Sequence, residues 1–133
     1  MLVFQKGVIA LIINDIFENW NKKCYIANLT KTEEDDNGNE VNYYSEPKPY
    51  DFNIQPANGS TDIALYGERI SKMYKTAISL LEYKNKFKEG DVAYLEGVKP
   101  TNEVEGTYGS EANYKIVSVR PQNTVILIYF EKI

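Results

Sequence analysis

Residues 125–130, Val-Ile-Leu-Ile-Tyr-Phe, constrain the fold more than any other stretch of this sequence. In an extended strand, successive side chains point to opposite faces. Val125, Leu127 and Tyr129 then face one way, and Ile126, Ile128 and Phe130 the other. Both faces are apolar, so both must be covered. One small sheet rarely covers both of its faces. A closed barrel with something packed outside it does so, and a subunit interface does so too.

The rest of the chain supplies strands for such a barrel. Tyr114–Val119 and Thr124–Lys132 form a C-terminal hairpin across Pro121-Gln122-Asn123. Tyr50, Phe52 and Ile54 alternate with Asp51, Asn53 and Gln55, which marks a strand with one face inward. Residues 22–33 and 40–55 read as strand partners. Between them Asn37-Gly38 is a strong short-range hairpin signal, because both residues tolerate positive φ. Twelve residues of strand span about 40 Å, longer than a small barrel needs, so the tip is expected to project. Its acids Glu33, Glu34, Asp35 and Asp36 must stay solvated or face a partner.

Elsewhere the periodicity is mixed. Val8, Leu11, Ile12, Ile16 and Trp20 recur at helical spacing, so 8–20 reads as a helix within an N-terminal extension, 1–21. Thr61 to Tyr66 reads as one helical turn, with Thr61 as cap, Asp62 at the positive end and Gly67 at the exit. Residues 70–81 read as a strand, with Ile70, Tyr74, Ile78 and Leu80 on one face and Met73, Ala77 and Leu81 on the other. Tyr83 to Lys88 is basic and irregular. Glu89-Gly90-Asp91 turns into a strand over Val92–Leu95. Residues 96–113 are rich in Gly, Asn, Glu and Thr and read as a long loop, a second projection. The expected fold is mainly β: a small antiparallel barrel of about six strands with a long hairpin, long loops and one short helical turn.

Composition narrows the chemistry. The chain has 133 residues, a net charge of −4 and no histidine. The commonest general base and metal ligand is therefore missing, and no enzyme activity is expected. Cys24 is the single cysteine, so neither an internal disulfide nor a CxxC zinc pair can form, and it reads as a small apolar strand residue. Glu33, Asp35, Asn37 and Gly38 mimic part of a calcium loop, but position 12 falls on Tyr44, and the match reads as accidental. No cofactor is expected. The apolar run 8–13 is far too short for a membrane helix and lacks a signal-peptide cleavage site. Lys72, Lys75, Lys84, Lys86 and Lys88 interleave with Tyr74, Tyr83 and Phe87. That pattern fits either a solvated strand face or a stacking surface for single-stranded nucleic acid.

Several short motifs occur in order. They are Tyr44-Ser45-Glu46-Pro47, Asn53-Ile54-Gln55-Pro56, Asp62-Ile63, Tyr66-Gly67-Glu68, Glu89-Gly90-Asp91 and Tyr114-Lys115-Ile116-Val117-Ser118-Val119. Together they resemble the head closure, or stopper, proteins of long-tailed bacteriophages, over residues 22–133. The resemblance implies a single β-barrel connector domain and a structural role in the virion. Its copies, about twelve, would form a ring below the portal and adaptor, closing the DNA channel and docking the tail. Double-stranded DNA would pass through transiently, and an acidic surface would let it slide. Spare strand edges would serve contacts between copies. On this reading Glu33, Glu34, Asp35 and Asp36, or Gly97, Gly106 and Gly109 in the second loop, mark the part facing the channel. Tyr66, Gly67, Ile126, Ile128 and Phe130 mark the subunit interface. A tail-tube or tail-terminator subunit and an oligonucleotide-binding barrel are the alternatives.

Overall fold

A computed structural model describes residues 21–133. The helix expected over 8–20 lies outside the described residues. The fold is mainly β. A seven-stranded antiparallel sheet runs in the order β4 (Lys48–Phe52), β1 (Lys22–Ala27), β7 (Val92–Tyr94), β8 (Tyr114–Gln122), β9 (Val125–Lys132), β6 (Met73–Ser79), β5 (Gln55–Pro56). Its two outermost strands, β4 and β5, are separated by two residues of one segment, 48–56. That segment pairs with β1 through Lys22↔Phe52 to Ile26↔Lys48, and with β6 through Gln55↔Lys75 and Pro56↔Tyr74. The sheet is thus curled into a barrel-like wall. Thr76, 2 % exposed, donates to the Asn53 carbonyl at 2.9 Å and ties the two margins together.

Beyond Thr76 the two margins are not bonded backbone to backbone. Aromatic rings fill the gap: Tyr50 stacks on Phe52 at 5.2 Å, and Tyr83 and Phe87 meet both edge-on. Such pairs add to the burial energy through their ring quadrupoles. Tyr83 ends the short helix α2 (Leu80–Tyr83), whose start is capped by Ser79 accepting from the Glu82 N–H.

The interior is built by alternation. Cys24 and Ile26, Ala93 and Leu95, and Ile126, Ile128 and Phe130 point inward with Phe52, Ile54, Ile78 and Ile116. Cys24 is an apolar strand residue, as expected. Burial, with the Asp51 carboxylate nearby, pushes its thiol up to about 12. A bulge at Val117 reverses the phase of β8. Ile116 opposes Phe130, Ser118 opposes Tyr129 and Val119 opposes Ile128. Regular alternation from Ile116 would have pointed Val119 outward.

Several expectations need correction. Ile126, Ile128 and Phe130 fill the protomer's own core, at 3 %, 0 % and 0 % exposure, so they are not a subunit interface. The strand expected over 70–81 is confined to 73–79, because Gly67 at φ 57 leads into a 3-10 helix, Gly67–Lys72. Ile70, Tyr74 and Ile78 are four apart, a spacing that strands and helices share, so the pattern alone could not place the boundary. The strand expected over 22–33 breaks at Asn28, and its partner breaks at residues 45–47.

The outer face of β9 is covered from within the chain at Tyr129, while Leu127 is half-buried and Val125 is exposed. The helix α1 (Ser60–Tyr66) and the 3-10 helix lie across it, and Tyr129 packs with Ala57, Met73 and Tyr66. The two-faced apolar strand therefore reflects a barrel with something packed outside it.

Candidate functional site

Three features of the surface invite a functional reading: a projecting hairpin, the loop 96–113 and a lysine-rimmed groove. The hairpin, hereafter the arm, is formed by β2 (Leu29–Glu34) and β3 (Glu40–Tyr44), which make a separate two-stranded sheet. It leaves the barrel where the Asn28 N–H donates to Ser45 Oγ at 3.0 Å and the Ser45 N–H donates to the Asn28 carbonyl at 2.8 Å. Residues 30–40 are all exposed. Glu33, Glu34, Asp35 and Asp36 are thus brought together at a solvated tip. Asp35 closes the turn, its carboxylate accepting the N–H groups of Asn37 and Asn39 at 2.9 and 2.8 Å. Gly38 has φ 79 whereas Asn37 stays at negative φ. The turn is therefore a three-residue loop with a glycine bulge rather than a two-residue primed turn.

The root of the arm is pinned by Asp91 of the Glu89-Gly90-Asp91 turn. Asp91 is fully buried. Its carboxylate accepts from the Leu29 N–H at 2.8 Å, Asn28 Nδ2 at 2.8 Å and the Lys88 N–H at 2.9 Å. Gly90, at φ 94, lets the turn reverse tightly enough to aim that carboxylate inward. The sequence reads this motif as a turn, but its buried acceptor had no local signal because Asn28 and Leu29 are distant in the chain.

The loop 96–113 does not project. It lies along the outer face of β7, where Tyr94 packs with Ala27 and Val92 inside a rim of Tyr25, Tyr44, Val98 and Ala112. The Glu103 carboxylate organises it. Both carboxylate oxygens accept from Tyr94 OH, at 2.7 and 2.6 Å, and the N–H groups of Gly109 and Glu111 donate at 3.0 and 2.8 Å. Burial, then Glu103, pushes the Tyr94 hydroxyl far above its ordinary range. Glu111 returns the arrangement by accepting the N–H groups of Thr101 and Asn102. The three glycines expected to act together are dispersed. Gly97 lies at the barrel end opposite the arm, Gly106 in an exposed turn, and Gly109 against Tyr44 near the arm root.

On the other side, Tyr66 is half-buried on Tyr129 at 5.0 Å, with Arg69 over its ring, while Gly67 is exposed. Beside them Ile63 and Leu65 are exposed at 53 % and 41 %, an apolar pair that helix spacing alone did not single out. Beneath, Asp62 is 1 % exposed and accepts from Lys75 Nζ at 2.7 Å, from the Gly59 N–H at 3.0 Å and from Tyr129 OH. Burial pushes its carboxyl up, but Lys75, Tyr129 and Gly59 together outweigh burial and hold it below the ordinary carboxylate range. Gly59, not Thr61, is the cap of α1.

The basic and aromatic residues do not form a stacking platform. Tyr74 packs on Tyr114 at 5.5 Å, Phe87 is buried, and Lys75 is held by Asp62. Lys86 lies over the rings of Tyr50 and Tyr83, at 5.5 and 5.7 Å. Among the described residues no group of three or more His, Cys, Asp or Glu is placed to hold a metal ion. No described helix is long and apolar enough to cross a membrane.

The third feature lies at the barrel end remote from the arm. There two adjoining hollows of about 260 and 640 Å³ share Tyr74 and Glu96 and are rimmed by Lys22, Lys23, Lys72 and Lys132. Comparison with protein-family models, with curated proteins and with solved structures gives no match.

Proposed function

We propose that this chain is a structural subunit of a bacteriophage head-to-tail interface, assembled in the virion as a ring below the portal and adaptor. The observation that carries the reading is the arm. A small barrel with a solvated, acidic two-stranded projection suits a protein that reaches into a duct or onto a neighbour. It does not suit one that encloses a small substrate. The ordered motifs over residues 22–133 give the reading its specific content. Asp62 and Asp91, which belong to two of those motifs, are buried acceptors that hold α1 and the arm root in place. In this view the motifs preserve the frame that carries the arm.

With the loop 96–113 laid along the barrel wall, Glu33, Glu34, Asp35 and Asp36 become the channel-facing candidates. Tyr66 and Gly67, with Ile63 and Leu65 beside them, remain a surface for a sister copy or an adjoining ring protein. An acidic tip repels phosphate, so a duplex would pass without lasting contacts. Tail-tube or tail-terminator subunits share this logic. The long hairpin favours them as the second reading, since a hairpin can bridge stacked layers.

The test is co-assembly. The purified chain is mixed with portal–adaptor complexes and imaged by negative-stain electron microscopy. An added ring supports the connector, a stacked tube supports the second reading, and failure to join either assembly sinks both. A salt-dependent mobility shift with single-stranded DNA would instead support an oligonucleotide-binding barrel.

A further inference from the structure

The arm and the groove lie at opposite ends of the barrel. The register places Lys48 opposite Ile26 at the arm end and Phe52 opposite Lys22 at the other. At that other end the two hollows form one groove. Its floor is apolar, with Ile54, Leu95 and Met73. Glu96 is the single carboxylate in the lining among the described residues, and Tyr114 OH donates to it. Among the described residues, none of the four rim lysines has an ion-pair partner within 4.0 Å. Asp51 lies opposite Lys23 in the β1–β4 ladder, and Glu131, beside Lys132 in the chain, is already held by Arg69 in a two-pronged contact.

The arm is the complement of this groove. It carries Glu33, Glu34, Asp35, Asp36 and Glu40, against the single cation Lys31, which pairs with Glu33 at 3.1 Å. Glu34 and Glu40 lie directly opposite each other in the ladder, a like-charge pairing that weakens a hairpin. Residues 30–40 are all exposed, and an isolated two-stranded sheet is marginal in water. Val41 and Tyr43 give the arm a half-buried apolar side to lay on a floor.

We propose that the acidic arm of one copy docks into the lysine-rimmed groove of a second copy. The contact is heterologous, so it closes into a ring where the rotation closes and otherwise continues as a stack. It rests on the ring reading's premise that copies of this chain meet, and it seats Glu33, Glu34, Asp35 and Asp36 on the neighbouring copy in place of the channel-facing position. The occupant follows from charge complementarity: the chain as a whole is acidic and repels phosphate, whereas its arm is opposite to the rim in sign and carries apolar residues for the floor.

The experiment uses the full chain in sedimentation velocity at about 0.05 M salt and again at about 1 M, where the screening length falls to about 3 Å. Two charge-reversed variants are compared, E33K/E34K/D36K/E40K and K22E/K23E/K72E/K132E. All eight positions are exposed, and far-UV circular dichroism checks that each variant folds. Self-association is expected at low salt and its loss at high salt. Each variant alone should associate at least about tenfold more weakly, and mixing the two should restore association.

A wild-type chain that stays monomeric up to about 1 mM overturns the docking, and so does association that neither reversal weakens. Cross-links from the rim lysines to residues 1–20 of the same copy overturn it, because the groove is then filled from within. DNA captured at the groove in place of a second copy overturns it as well. A groove-reversed chain that still joins portal–adaptor complexes as rings overturns the docking while leaving the connector reading intact.

Discussion

The Asp91 carboxylate accepts the backbone N–H of Leu29 at 2.8 Å, joining the turn before β7 to the first residue of the arm. With Asn28 and Lys88 as further donors, this one buried side chain sets where the hairpin leaves the barrel. Asp91→Ala would strand two backbone N–H groups and an amide. The expected loss is about 3 kcal/mol, read as a lower urea midpoint with unchanged slope. Amide exchange at Leu29 and Lys88 should rise more than at Ile128, which lies in the centre of β9. Equal acceleration everywhere would contradict the role of Asp91 as a local pin.

Stability should fall at both ends of the pH scale around Asp62 and Tyr129. The folded Asp62 carboxyl titrates below its ordinary value, so its contribution is full above about pH 4 and is lost as pH falls through the folded value. Tyr129 behaves oppositely. Burial, then Asp62, pushes its hydroxyl up to about 12, so its contribution is full below about pH 10 and is lost as pH rises toward 12. Tyr129→Phe is expected to cost about 1–2 kcal/mol at neutral pH. Thermal melts across pH 9–12 should show a shallower alkaline decline in this variant. An unchanged decline would remove Tyr129 from the account.

Glu103 is expected to govern the loop that covers β7. Glu103→Ala removes the acceptor shared by Tyr94, Gly109 and Glu111, and should release residues 101–111 to fast amide exchange while leaving β8 and β9 protected. Limited proteolysis should then cut first within that loop. Cleavage elsewhere would mean that the loop is held by its apolar rim instead.

Gly109→Ala tests the same loop from its other end. An added Cβ would sit 2.5 Å from the Tyr44 ring, at a φ of 91 that side chains rarely adopt. The cost should be about 1–3 kcal/mol. Adding Tyr44→Ala should restore only part of it, because the steric contact is relieved but the backbone strain is not. Full rescue would show that strain contributes nothing.

Glu40→Lys should stabilise the isolated arm by about 0.2–1 kcal/mol, because it converts the Glu34 pairing from repulsion to attraction. Slower amide exchange at residues 32–34 with an unchanged global melt is the expected result. No change in exchange would mean that the tip charges are already screened.

Strand content was legible because alternation is a local signal. Phe52 and Ile54 point inward as their spacing requires, and β8 and β9 form the expected hairpin, but its turn is Asn123-Thr124 because Pro121 and Gln122 continue β8 opposite Ile126 and Val125. The two apolar faces of 125–130 required an outer cover but could not say whether it was α1 or a sister copy, since either buries Tyr129. The break at Asn28 was hidden for a different reason. Its cause is a bond to Ser45 and a carboxylate from Asp91, and neither leaves a mark in the residues beside it. Glu33, Glu34, Asp35 and Asp36 were found because they have no place in a core. The groove was missed, although Lys72 stood out beside Tyr74, because Lys22, Lys72 and Lys132 come together only once β1, the start of β6 and β9 share one end of the barrel.

The wall around the core is not a complete circuit of backbone bonds. Between β4 and the later part of β6 it is a slit caulked by Tyr50, Phe52, Tyr83 and Phe87, and rings slide apart more readily than a bonded ladder unzips. Thermal breathing of this cylinder should therefore start along that line, and α2, which carries Tyr83, should swing first.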